Sequence, residues 1–130
     1  MSGENVEKLR RAYEAFNRGD FDAAIEITHP EFEFVRVGGQ GSVKGAAAFR
    51  AWMEPDAFED LHLEPLEFRA HGSKVLVHAR SRARGAGSGI ELDLTNWAVW
   101  TFDKEGLATR VEGFLDHETD KALEAAGLSE

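Results

Sequence analysis

Three polar side chains fall where the hydrophobic pattern buries its neighbours. Arg36 shares a strand face with Phe32 and Phe34 in the run Glu31 to Val37. A guanidinium stays charged when buried and must find an anion or several acceptors. It can clamp a carboxylate, phosphate or enolate-like oxygen on a ligand, or reach solvent or an internal carboxylate from the strand end. Asn96 sits mid-strand on an apolar face and can both donate and accept. It can orient a carbonyl substrate, or bond a neighbouring helix or a buried water. Tyr13, on a helix, is either a core aromatic with its hydroxyl at a pocket edge or a catalytic phenol. Arg36, Asn96 and Tyr13 are therefore the candidate catalytic residues. No inward carboxylate or histidine accompanies them to move a proton. By parity with Val111 and Gly113, Glu112 faces outward, and Asp116 lies at the end of its strand.

The element that must position these groups is the strand Ile90 to Phe102. Its alternation puts Ile90, Leu92, Leu94, Asn96, Ala98, Trp100 and Phe102 on one face. The polar Asn96 and small Ala98 at mid-face suit a sheet that borders a cavity. Asp103-Lys-Glu-Gly106 turns this strand into a last one, Leu107 to Asp116. Before it, Val75, Val77, Ala79, Ser81 and Ala83 alternate with Leu76, His78, Arg80, Arg82 and Arg84. Across that hairpin, Arg82 and Arg80 face Glu91 and Asp93, or Arg84 and Arg82 do; either way the arginines form a cross-strand ladder.

Upstream, Val6, Leu9, Tyr13 and Phe16 recur at helical spacing from about Glu4 to Arg18. Gly19 stops that helix, and Asp20 or Asp22 can cap a short second one that ends before His29-Pro30. The Gly38-Gly-Gln-Gly-Ser42 loop precedes a third helix, Gly45 to Met53, broken by Glu54-Pro-Asp56. A strand from Leu61 to Ala70 and a final helix from His117 to Ala126, stopped by Gly127, complete the chain. This is an α+β order, expected to fold as one domain over residues 1–130: a curved antiparallel sheet whose one face is covered by helices, forming a cone with an internal pocket. Phe34, Arg36, Phe49, Trp52, Met53, Asn96, Ala98 and Trp100 are the expected pocket lining.

Composition narrows the function. The net charge of -9 argues against nucleic-acid or anionic-membrane partners. No apolar run approaches the ~18 residues of a membrane span, and no basic-then-apolar leader opens the chain. With no cysteine there is neither a disulfide nor a thiolate metal site. His62-Leu-Glu64 alone mimics a metal pair, so neither a metal nor a cofactor is expected. A cytoplasmic location is the default. On the outer face of the sheet, His78, Arg80, Trp97 and Val99 leave apolar area that points to a homodimer.

Several stretches together resemble SnoaL-like proteins of the nuclear-transport-factor-2-like superfamily. They are Tyr-Glu-Ala-Phe-Asn-Arg-Gly-Asp-Phe-Asp-Ala (13–23), His-Pro-Glu-Phe-Glu-Phe (29–34), Gly-Ser-Gly (87–89), Val-Trp-Thr-Phe-Asp (99–103), Leu-Asp (115–116) and Ala-Leu-Glu-Ala-Ala-Gly-Leu (122–128). The resemblance covers essentially the whole chain. It implies the conical fold, and a superfamily that holds ketosteroid isomerase, limonene-epoxide hydrolase, scytalone dehydratase, polyketide cyclases and non-catalytic domains. The isomerase uses a carboxylate base, with a tyrosine and a protonated acid at the enolate oxygen. Aligned through Asn17-Arg-Gly-Asp20, its tyrosine falls at Ala12 and its base at Arg36. Aligned through the last hairpin, its acid falls at Ala98, where SnoaL-like relatives often carry histidine. None of the three is kept. The expectation is a small-molecule-binding domain for an apolar or carbonyl-containing ligand. Three alternatives stay open: a cofactor-independent isomerase, cyclase or dehydratase, a ligand carrier, or a dimeric association module.

Overall fold

The computed structural model describes residues 2–36, 41–53, 58–85 and 87–128. Helix α1 (Ser2–Asn17) buries Leu9, Ala12, Tyr13, Ala15 and Phe16 along one stripe. Gly19 then takes φ +81, which a side chain would resist. Asp20 accepts a hydrogen bond from the Ala23 amide at 3.2 Å and so caps α2 (Phe21–Ala24). Then come β1 (Thr28–Val35), β2 (Ser42–Lys44) and α3 (Ala46–Met53). The chain closes with β3 (Phe58–His71), β4 (Lys74–Gly85), β5 (Glu91–Phe102), β6 (Ala108–Leu115), a 3₁₀ turn (Asp116–Glu118) and α4 (Thr119–Ala126).

The strands form one sheet in the order β2-β1-β6-β5-β4-β3. Its neighbours are antiparallel except β1 and β6, which run parallel. Asp103 shapes the β5–β6 turn by accepting from the amides of Glu105 at 2.9 Å and Leu107 at 3.0 Å. Register shifts at Glu59/His62 and Pro65/Glu67 bend β3, an edge strand, where a proline costs no ladder bond on its open side. Asn17 ties that edge to the end of α1. Its amide nitrogen donates to Leu63 O at 2.8 Å, and its oxygen accepts from Leu63 N at 2.9 Å.

Two apolar clusters flank the sheet. On the concave face, Leu9, Tyr13, Phe16, Ala24, Phe49 and Met53 of the first three helices pack with Phe32, Val75, Val77, Trp100 and Phe102. On the convex face, Ala122 and Ala126 of α4 cover Leu76, Val99 and Phe114.

This corrects two expectations. Helices cover both faces rather than one. Val99 is 3% exposed, so it is no free partner surface: the final helix folds back over it. The sequence also hid β2, whose three residues are too short for any period. Strand β1 ends at Val35; Val37, expected to extend it, and the Glu54-Pro-Asp56 break lie outside the described residues.

The β4–β5 register sets Arg84 opposite Glu91 and Arg82 opposite Asp93. A tight ion pair runs diagonally, with Arg80 Nε and Nη2 donating to the two Asp93 oxygens at 2.8 and 2.6 Å. Among the described residues no helix is long and apolar enough to cross a membrane.

Candidate functional site

The concave face does not fill. Between sheet and helices lies a cavity of about 340 Å³, within the roughly 300–1,000 Å³ of small-molecule sites. One reason is the sheet's middle. Ala98 pairs with Val77 on one side and Gly113 on the other, and Asn96 pairs with Ala79. Ala79, Ala98 and Gly113 give that wall little bulk. The facing wall is aromatic. Phe34 and Phe49 centroids are 5.3 Å apart, Phe34 and Trp52 4.7 Å, and Phe49 and Trp52 lie nearly parallel at 6.1 Å. Toward the mouth stand Leu92, Leu94 and Trp52, with Leu94 44% and Trp52 40% exposed.

Four described side chains with strong polar groups line this space: Tyr13, Arg36, Ser81 and Asn96. Tyr13 is gripped at its oxygen, which accepts a bond from Trp100 Nε1 at 3.3 Å. Its ring meets Phe68 edge-on at 6.2 Å. Burial pushes the phenol's pKa up to about 12, against a smaller downward pull from the Trp100 N–H. Tyr13 is thus a neutral phenol at any physiological pH. Arg36 follows the end of β1, where its backbone amide donates to Gly41 O at 2.9 Å. It is the one charged side chain among the described lining residues, and none of them is Asp, Glu or His.

The Tyr13 shift makes a prediction. Below pH 10 the phenol is neutral in both folded and unfolded chains. Between pH 10 and 12 the unfolded chain ionises and the folded one does not. Stability therefore falls by about 1.4 kcal/mol per pH unit across that window, and by about 3 kcal/mol in all. Tyr13→Phe removes this slope. Tyr13 is the single tyrosine of the chain, so tyrosinate absorbance followed through alkaline unfolding reads it directly. Ionisation near pH 10 without unfolding would contradict the burial.

The eight residues expected to line a pocket, Phe34, Arg36, Phe49, Trp52, Met53, Asn96, Ala98 and Trp100, all line this one, and Tyr13 joins them. Ser81 was legible as inward on β4 but not as a site residue, because a serine in a run of Val and Ala carries no chemical signal by itself. His78 lies on the convex face. Its ring stacks on Trp97 at 4.0 Å, and its Nε2–H donates to Asp116 at 2.9 Å. His78, then Thr95, hold the Asp116 carboxylate below its usual range. This pair cannot serve the cavity on the sheet's other side.

The SnoaL-like domain family matches residues 9–111 of the chain. No curated protein matches it. Among solved structures, TerC co-crystallised with polyporic acid superposes with a TM-score of 0.74 at 25% identity, over 88% of this chain and 93% of that one. An NTF2-like protein of unknown function from Burkholderia pseudomallei gives a TM-score of 0.77 at 24% identity, over 94% and 96% of the two chains. SalBIII, an epoxide hydrolase/cyclase-like enzyme in pyran ring formation in the polyether salinomycin, gives 0.77 at 20% identity, over 86% and 90%. The last two likenesses are of fold.

Proposed function

The chain belongs to the SnoaL-like domain family, and from that premise we propose that its cone binds a small, largely apolar molecule carrying a carbonyl or similar oxygen. The observation that carries this is the lining itself: aromatic and aliphatic walls, a few neutral polar groups, one cation, and no described carboxylate or histidine. Such a site holds and polarises an oxygen. None of the described lining residues is a carboxylate or histidine that could take a proton from carbon. Binding is therefore the first reading, as a carrier or receptor. A second reading, a cofactor-independent cyclase or dehydratase, is favoured by the neutral Tyr13 phenol. A buried donor can polarise a carbonyl while the substrate supplies its own nucleophile. A homodimer belongs to the same proposal. It would form on the part of the convex face around His78, Arg80 and Trp97 and would be seen as a doubled mass in sedimentation.

TerC's crystallisation with polyporic acid supports the ligand class and supplies a first probe. Titration with polyporic acid is expected to quench tryptophan fluorescence saturably, since Trp52 and Trp100 both line the cavity. Arg36→Ala is expected to weaken that acid's binding about tenfold, the loss of one charge-assisted contact. Unchanged affinity in Arg36→Ala would reject the clamp. No saturable binding of polyporic acid or of any flat apolar ketone would reject the binding role.

A further inference from the structure

Tyr13 and Trp100 come from opposite layers, α1 and β5, and both side chains line the cavity. The bond between them has one direction. An indole N–H can only donate, whereas a phenol oxygen both accepts and donates. The indole therefore occupies the acceptor side of the Tyr13 oxygen and turns the phenol's own proton elsewhere. Packing fixes the ring: Phe68 meets it at 85° and Trp100 at 65°. Among the described residues no acceptor for that proton is found. A buried donor left without an acceptor is costly, so a ligand acceptor in that place gains more than it would at a surface.

We propose that Trp100 is a positioning residue that makes Tyr13 a one-way donor into the cone, so that the site selects ligands whose buried end carries a ketone or quinone oxygen. An ammonium or other donor-only group would meet the phenol proton head-on. The inference rests on the reading of the cone as a ligand site and adds to it which end of the ligand enters first.

The probes 9-fluorenone and fluorene share one flat carbon skeleton and differ by the carbonyl oxygen. The wild-type protein is expected to bind fluorenone at least about tenfold more tightly than fluorene. The carbonyl infrared stretch of the bound ketone should move to lower frequency. Trp100→Phe and Tyr13→Phe should each bring the ratio of the two affinities below about threefold and return the stretch, whatever either change does to the affinity for fluorene itself. Trp100→Phe keeps the hydroxyl and removes only what orients it, so its effect separates orientation from mere presence. If Trp100→Phe does not fold, the wild-type and Tyr13→Phe pair decides: a stretch that Tyr13→Phe fails to move overturns the proposal. A ratio and stretch in Trp100→Phe equal to wild type overturn it too, as does a wild type that takes both probes equally. In those cases the cone remains a binding site. If neither probe nor polyporic acid binds, the cone reading falls and this inference falls with it.

Discussion

Ala98→Trp is expected to abolish ligand binding and leave the protein as stable as before. Ala98 stands mid-strand on the concave face, between Val77 and Gly113. A tryptophan there projects into a cavity of about 340 Å³ lined by Phe34, Phe49 and Trp100, and obstructs its middle. Loss of the space should cost at least about a hundredfold in affinity for polyporic acid or fluorenone, near 2.8 kcal/mol. In a filled core the same substitution would cost about 1–3 kcal/mol of stability by overpacking. Thermal unfolding and a binding titration on one preparation separate the cases. A large fall in melting temperature would mean that the space is not there. Retained binding would place the ligand elsewhere.

Val99→Asp is expected to unfold the protein or destabilise it by about 4 kcal/mol or more, the range of an unpaired charge buried in a core. Val99 packs with Leu76 and Phe114 beneath Ala122 and Ala126, and α4 is held down by Lys74 Nζ donating to Ala125 O at 2.8 Å. Urea unfolding measures the loss. Were Val99 instead a contact to a second copy, the variant would keep its stability as a monomer and only halve the sedimenting mass. That outcome would contradict the placement of α4.

The contrast between Ala98 and Val99 shows what the sequence could convey. Alternation is a local property, so the inward face of β5, the small Ala98 and the polar Asn96 were readable from thirteen consecutive residues. Parity likewise placed Arg36 with Phe32 and Phe34. What covers the opposite face is not local. The final helix has an apolar stripe, and both sheet faces offered apolar partners; only the packed chain shows that it chose Val99. Register was open between two pairings because both set arginines opposite acidic residues; the strands take the second, with Arg84 opposite Glu91 and Arg82 opposite Asp93, while the Arg80–Asp93 contact of the first is made as a diagonal pair. The Tyr13–Trp100 bond joins residues 87 apart. Nothing in either segment's periodicity points to the other. Tyr13 and Trp100 were each legible as pocket residues, but their joint geometry was not.

On the proposed reading the cone holds an oxygen-bearing apolar ligand with its oxygen at Tyr13. A crystal structure grown with saturating 9-fluorenone tests it most directly. The flat skeleton is expected between the Ala98–Gly113 wall and the Phe34–Phe49–Trp52 wall, with the carbonyl oxygen within hydrogen-bond distance of Tyr13 Oη. An empty cone in a crystal that holds the ketone elsewhere, or a carbonyl turned toward the mouth and away from Tyr13, would contradict it.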